Sequence, residues 1–207
     1  MRILNLYACL GGNRFLWSDE HEITAIELDP ELARMYQERF PNDTVIVTDA
    51  HEYLLNNHEN FDFVWSSPPC PTHSKARFAR RKTTEPLFPY MKLYQEIIFL
   101  QKWFKGKWLV ENVIPYYEPL IPAKKIGRHL YWSNFILPNF KARHVEIEDG
   151  GTKHLEKFHK IDLSTYKGTQ RKDKIARNLV DYEAGKIILD TAIGILKSQN
   201  QTQSSLF

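Results

Sequence analysis

The chain has 207 residues, 43% of them hydrophobic and 26% charged, with a formal net charge of +3, which suits one globular domain with a sizeable core and excludes a disordered or fibrous chain. Two cysteines, neither in a Cys-x-x-Cys pair, exclude a disulfide framework, argue against a structural zinc site and suit a reducing compartment. No secretory signal or membrane-spanning run is read, so a cytoplasmic protein is expected, with no membrane contact and no metal.

Residues 2–7, RILNLY, predict a short buried strand, broken by the two glycines of ACLGGN. Residues 23–28 predict a second strand. Asp29 and Pro30 then read as an N-cap and first helical residue, and Leu32, Met35, Tyr36 and Phe40 share a helical face before Pro41 ends it. TVIV (44–47) predicts a third strand, followed by Asp49, and FDFVW (61–65) a fourth, ending at Ser-Ser-Pro-Pro-Cys. Tyr90, Leu93, Ile97, Leu100 and Phe104 recur at steps of three and four, an amphipathic helix. KWLVEN (107–112) and HLYWSNF (129–135) predict two more strands. Residues 140–175 are charged and aperiodic and are expected to be loops with one strand, ARHVEI (142–147). Ile187, Ile188, Thr191, Ala192 and Ile195 predict a last helix, and SQNQTQSSLF is a polar tail with an apolar tip. Strands alternating with helices predict an α/β fold with a mixed, mostly parallel sheet covered by helices on both faces.

Ligands of open α/β sheets bind outside the carboxyl ends of the strands. The first strand is followed by Gly11 and Gly12, which allow close backbone approach. Glu27, at the end of the second, is placed to bind ribose hydroxyls, and Asp49, after the third, to accept from an adenine amino group. Each has a plainer reading alone, a surface carboxylate or an ordinary turn; together they suggest an adenosine-containing cofactor. Cys70 follows the fourth strand, held between prolines and followed by Lys75, Arg77, Arg80, Arg81 and Lys82. A thiol reacts as the thiolate, which neighbouring cations favour; the alternative is a buried structural cysteine. The basic cluster suits a phosphate backbone, or is a solvated loop. Glu111, ending the fifth strand, is a carboxyl group whose pKa desolvation would raise, able then to donate a hydrogen bond or a proton; the plainer reading is a solvated strand end.

In this order the segments resemble the DNA cytosine carbon-5 methyltransferases. NLYACLGGNR is similar to the family's first cofactor motif, AIELDP to the second, TDA to the third, SSPPCPTHS to the nucleophile motif and ENV (111–113) to the Glu-Asn-Val motif. GRHLYWSNF from Gly127 resembles the arginine-bearing motif, and ARNLVDYEAG (176–185) the last motif. The resemblance implies a Rossmann-like class I fold that uses S-adenosylmethionine to methylate cytosine in double-stranded DNA. It implies Cys70 as nucleophile toward carbon-6, Glu111 as the group holding the flipped base, and Arg128 as a residue steadying the base or its phosphate. It assigns the cofactor to Tyr7, Ala8, Leu10, Gly11, Gly12, Glu27, Leu28, Asp49, Ala50, Pro68, Asn178 and Val180, and DNA to Ser74, Lys75, Arg77, Arg80, Arg81 and Lys82.

The implied organisation is a catalytic core over 1–137, a reduced target-recognition region over 138–175, a C-terminal helix over 176–198 and a tail over 199–207, in a monomer of the compact phage or bacterial type that acts in a bacterial cytoplasm, as in restriction-modification. Three departures stand out. Cys9 occupies a position where the family carries glycine, His129 aligns with the second arginine of an Arg-x-Arg motif, and the recognition region is short. QSSLF resembles the pentapeptide with which bacterial proteins dock on the sliding clamp, through Gln203, Leu206 and Phe207. Competing readings are a non-catalytic DNA-binding relative, a tRNA cytosine methyltransferase, and a cysteine hydrolase pairing Cys70 with His73.

Overall fold

The computed structural model describes residues 1–143 and 151–196. Seven strands form one sheet in the order β3-β2-β1-β4-β5-β7-β6. They are β1 (Arg2–Leu6), β2 (Glu22–Glu27), β3 (Thr44–Val47), β4 (Phe63–Ser66), β5 (Lys107–Val113), β6 (Lys124–Ile126) and β7 (His129–Ser133). The first five run parallel, and β7 is antiparallel to both β5 and β6. The chain reverses its direction of travel across the sheet between β1 and β4, the switch point at which open α/β sheets bind ligands.

Consecutive residues of the central strands are apolar because both faces of the sheet are covered. Leu4 and Leu6 pack with Leu54 of α2 (Ala50–Asn57) and with Leu93, Ile97 and Leu100 of α4 (Lys92–Trp103). Ile3, Phe63, Trp65 and Leu109 face the other way, onto Trp17 and onto Ile188 and Leu189 of α7 (Tyr182–Ala192). Helix α1 (Pro30–Arg39) starts as its sequence predicts: Asp29 accepts the Glu31 N–H at 2.9 Å and Pro30 occupies the first turn. Among the described residues no helix is long and apolar enough to cross a membrane.

Several elements differ from the sequence reading. Gly151–His159 is a helix, α5, where loops were expected; its buried Leu155 and His159 lie four residues apart, a pattern too short to stand out. Strand β6 escapes a hydrophobicity pattern because it is an edge strand reading Lys-Lys-Ile. Two short helices, α2 and α3 (Lys75–Ala79), fill segments read as connections. Of ARHVEI, Ala142 and Arg143 are not strand, and the remainder lies outside the described residues. The C-terminal helix begins at Tyr182 rather than 176, because the chain breaks after α6 (Lys172–Arg177) and restarts with Asp181 as an N-cap. The tail with Gln203, Leu206 and Phe207 lies outside the described residues.

Candidate active site

Register places the site. Leu6 pairs with Ile26 on one side and Ser66 on the other, and Ser66 pairs with Val110. The next residues, Tyr7, Glu27, Ser67 and Glu111, therefore lie side by side at this edge of the parallel strands. They open into a cleft of about 800 Å³, a size typical of small-ligand sites. Its lining includes Tyr7, Ala8, Gly12, Glu27, Leu28, Asp49, Ala50, Pro68, Cys70, Glu111, Asn178 and Val180. Leu10 and Gly11 lie outside that lining; Leu10 packs with Leu32 and Met35.

The turn after β1 is strained. Tyr7 (φ 57°), Cys9 (φ 48°) and Gly11 (φ 65°) are all left-handed, at about 1–2 kcal/mol for each residue bearing a Cβ. Hydrogen bonds hold it there. The Cys9 N–H donates to Glu27 Oε2 at 2.8 Å, the Ala8 N–H to the Ile26 carbonyl at 2.9 Å, and the Tyr7 hydroxyl to buried Glu96 at 2.5 Å. Both glycines also have a packing reason: a Cβ at Gly11 would lie 2.5 Å from the Phe40 ring, and one at Gly12 would lie 2.5 Å from the Val180 carbonyl. Glu27 also accepts the Asp29 N–H at 2.9 Å, and its burial raises its pKa. Asp49 caps α2 by accepting the Glu52 N–H at 3.0 Å and has Lys92 at 3.6 Å. Two carboxylates at adjacent strand ends, between apolar walls from Leu28, Ala50, Pro68 and Val180, fit the hydroxyls, amine and ring of an adenosine.

The Pro-Pro-Cys loop is strapped down from β5 and beyond. Asn112 Nδ2 donates to the Pro68 carbonyl at 2.9 Å, the His73 N–H to the Cys70 carbonyl at 3.0 Å, and the Tyr116 N–H to the His73 carbonyl at 3.0 Å. Burial pushes the Cys70 thiol up, Glu111 pushes it further, and Lys174 of α6 pulls it down. The expectation that the 75–82 cluster activates the thiol is therefore corrected: the cation acting on Cys70 is Lys174, one helical turn before Asn178. That spacing was the signal available in the sequence.

His73 is fully buried, with Nδ1 2.6 Å from the Tyr117 hydroxyl and Nε2 3.2 Å from the Tyr90 carbonyl. Nε2 must donate to a carbonyl, so Nδ1 accepts from Tyr117, and burial lowers the pKa. Both nitrogens are engaged away from Cys70, which removes the cysteine-hydrolase pairing.

Ser74 caps α3 by accepting the Arg77 N–H at 3.2 Å. Lys75, Arg80, Arg81 and Lys82 are exposed on α3 and the turns beyond it, beside the cleft rather than in it, and Arg77 is half-buried. Phe78 stacks on Tyr116, with centroids 4.5 Å apart, and carries Arg81 over its other side at 4.7 Å. Arg128 occupies the exposed turn between β6 and β7; its neighbour His129 lines the cleft instead, with Nε2 3.4 Å from Glu111 Oε1.

The strand order and the cleft across the β1–β4 switch point define a Rossmann-like class I methyltransferase fold. The family model of the C-5 cytosine-specific DNA methylases matches residues 1–114, more than half of the 207, and the chain belongs to that family. Its methyl donor is S-adenosylmethionine, which the two carboxylates and apolar walls of the cleft fit.

Similar solved structures include a hypothetical protein of Thermus thermophilus at 18% identity and TM-score 0.43, covering 64% of this chain and 73% of that one. A Spodoptera frugiperda DNMT2 mutant is 22% identical with TM-score 0.38, covering 54% and 35%. A putative Escherichia coli DNA modification methyltransferase encoded within a prophage is 20% identical with TM-score 0.38, covering 57% and 34%. This chain therefore spans about a third of the length of the last two. No curated protein matches the chain.

Proposed function

We propose that the protein methylates carbon-5 of cytosine in double-stranded DNA, with Cys70 as nucleophile and Glu111 holding the base. The observation that carries this is the convergence of Cys70 and Glu111, from the ends of β4 and β5, in the cleft that also holds Glu27 and Asp49. Cytosine carbon-5 is a weak nucleophile. Addition of the Cys70 thiolate to carbon-6 makes the ring enamine-like, and Glu111 stabilises that form through the ring nitrogen and amino group. Bound S-adenosylmethionine supplies the methyl group that carbon-5 takes up. Loss of the carbon-5 proton then expels Cys70. Glu27 holds ribose hydroxyls, Asp49 the adenine amine, and the Asn178–Val180 segment closes the donor side.

The target base leaves the duplex to reach this cleft, at about a few kcal/mol. Ser74, Lys75, Arg77, Arg80, Arg81 and Lys82 grip phosphates beside it. Arg128, in its exposed turn, steadies the backbone of the flipped nucleotide. Residues 138–175, with α5, form a reduced recognition region. QSSLF tethers the enzyme to a sliding clamp, which raises its local concentration on DNA and offsets that reduction. Deleting residues 203–207 should abolish co-migration with the clamp; unchanged co-migration refutes the tether.

The reaction is tested by incubating purified protein and S-adenosylmethionine with unmethylated mixed-sequence DNA and, in parallel, with tRNA. 5-Methyl-deoxycytidine from the parent and none from Cys70→Ser is the expected result. DNA binding without product would favour the inactive relative, and 5-methylcytidine from tRNA alone would make RNA the substrate.

A further inference from the structure

Glu111 has a neighbour that the mechanism above does not use. In the antiparallel β5–β7 pair Glu111 faces Tyr131, so His129, two residues away, is its diagonal neighbour on the same face of the sheet. His129 Nε2 lies 3.4 Å from Glu111 Oε1, and the imidazole is 40% exposed where the carboxylate is 9% exposed. Both line the cleft that contains Cys70. A nearly buried carboxyl group that must give and recover a proton in each turnover therefore touches, on its solvent side, the side chain best suited to exchange protons near neutrality.

We propose that His129 is a positioning residue that relays the proton Glu111 exchanges with the base, an inference resting on the methyl-transfer reading. As sulfur bonds to carbon-6, the ring electrons shift toward the ring nitrogen, which takes the Glu111 carboxyl proton. The resulting carboxylate takes a proton from Nε2 of the His129 imidazolium, leaving neutral imidazole. When carbon-5 loses its proton to water and the carbon–sulfur electrons return to Cys70, Glu111 passes its proton back to the neutral His129 imidazole and takes the ring-nitrogen proton, so that carboxyl group and imidazolium are both restored. No co-reactant is needed beyond water and the methyl donor.

The other groups around the imidazole leave this role to it. From its own strand comes the Tyr131 phenol, with ring centroids 6.4 Å apart; burial and Glu111 hold that phenol far above its usual range, so it stays neutral. From β6, Ile126 pairs with His129 and is apolar, and the Lys124 ammonium donates to the Leu137 carbonyl. Arg128 precedes it in the turn, and Cys70 and Lys174 share the cleft. Arginine and lysine remain charged through neutral pH and cannot relay a proton there.

The test is the pH profile of methyl transfer from pH 5.5 to 9.5 for the parent, His129→Arg and His129→Gln, with melting curves confirming that each is folded. The parent should show an optimum falling on both sides. His129→Arg keeps the charge but cannot release a proton, so it should lose kcat as His129→Gln does and lose the limb that His129 contributes. His129→Gln should lose kcat at least tenfold with KM little changed. Two-limbed profiles in both variants, or a His129→Gln enzyme as fast as the parent, overturn the proposal. Absence of product from the parent at every pH would instead overturn the methyl-transfer reading, and this inference with it.

Discussion

Two loops face the same cleft from neighbouring strands, each with one of the two cysteines, and they are held by opposite means. The loop after β1 adopts left-handed conformations at Tyr7, Cys9 and Gly11, stabilised by backbone hydrogen bonds to β2 and Glu27. The loop after β4 has no left-handed residue from Ser67 to Ser74; prolines 68, 69 and 71 restrict its backbone, and Asn112 clamps it. Cys9 packs against the cluster of Leu10, Met35, Leu155 and Leu179, and burial with the Glu27 charge pushes its thiol up to about 12. Cys70 is raised too, but Lys174 opposes the rise. The two thiols differ in their surroundings: one packs in a strained turn beside a carboxylate, the other is held in a stiff loop where a cation opposes the rise.

The contrast breaks most sharply at Cys70. Cys70→Ser should reduce methyl transfer to background with an unchanged melting temperature; retained activity would move the nucleophile elsewhere. Glu27→Ala removes the acceptor of two backbone donors and should destabilise the fold by about 2–4 kcal/mol while weakening donor binding at least tenfold. Chemical denaturation and calorimetric titration read the two effects separately.

The next test addresses what covers the first loop. Arg39 donates to the carbonyls of Leu10 at 2.9 Å and of His159 at 3.2 Å, tying that loop to α5. Burial lowers the His159 pKa to about 4, and its Nδ1 has no hydrogen-bond partner among the described residues. Because the folded pKa lies below the ordinary value, this contribution is fully present above about pH 6.5 and is lost as pH falls toward 4, by at most about 3 kcal/mol. His159→Leu should flatten the stability curve between pH 7 and 5 relative to the parent.

The smallest effect is a rate difference. Iodoacetamide should label Cys70 increasingly as pH rises above 8 and leave Cys9 unmodified up to pH 10, read by peptide mass spectrometry. Preferential labelling of Cys9 would reverse the comparison.

Much of this was legible in the chain because the parallel strands are short apolar runs punctuated by chemistry. RILNLY and KWLVEN end at residues of the cleft, TVIV and FDFVW stop two residues before Asp49 and Ser67, which line it, and the Asp29-Pro30 cap and the steps from Tyr90 to Phe104 predict their helices. Helix α5 and edge strand β6 were not legible, since a nine-residue helix with two buried positions and a Lys-Lys-Ile strand lack the periodicity that burial on a broad face imposes. The role of Gly12 was also hidden: its Cβ-free space belongs to Val180, 168 residues later.

Local sequence determined by itself where the strands end, which carboxylates and which cysteine stand at those ends, and hence the chemistry the chain carries. Only the tertiary structure decided that His129 rather than Arg128 meets Glu111, that Lys174 rather than the 75–82 cluster acts on Cys70, and that His73 is occupied by Tyr117 and Tyr90. The physical reason is range. Strand and cap signals are set within a few residues, whereas electrostatic and hydrogen-bond partners are set by distances of a few ångströms between segments far apart in the chain, and these exist only once the sheet register has been made.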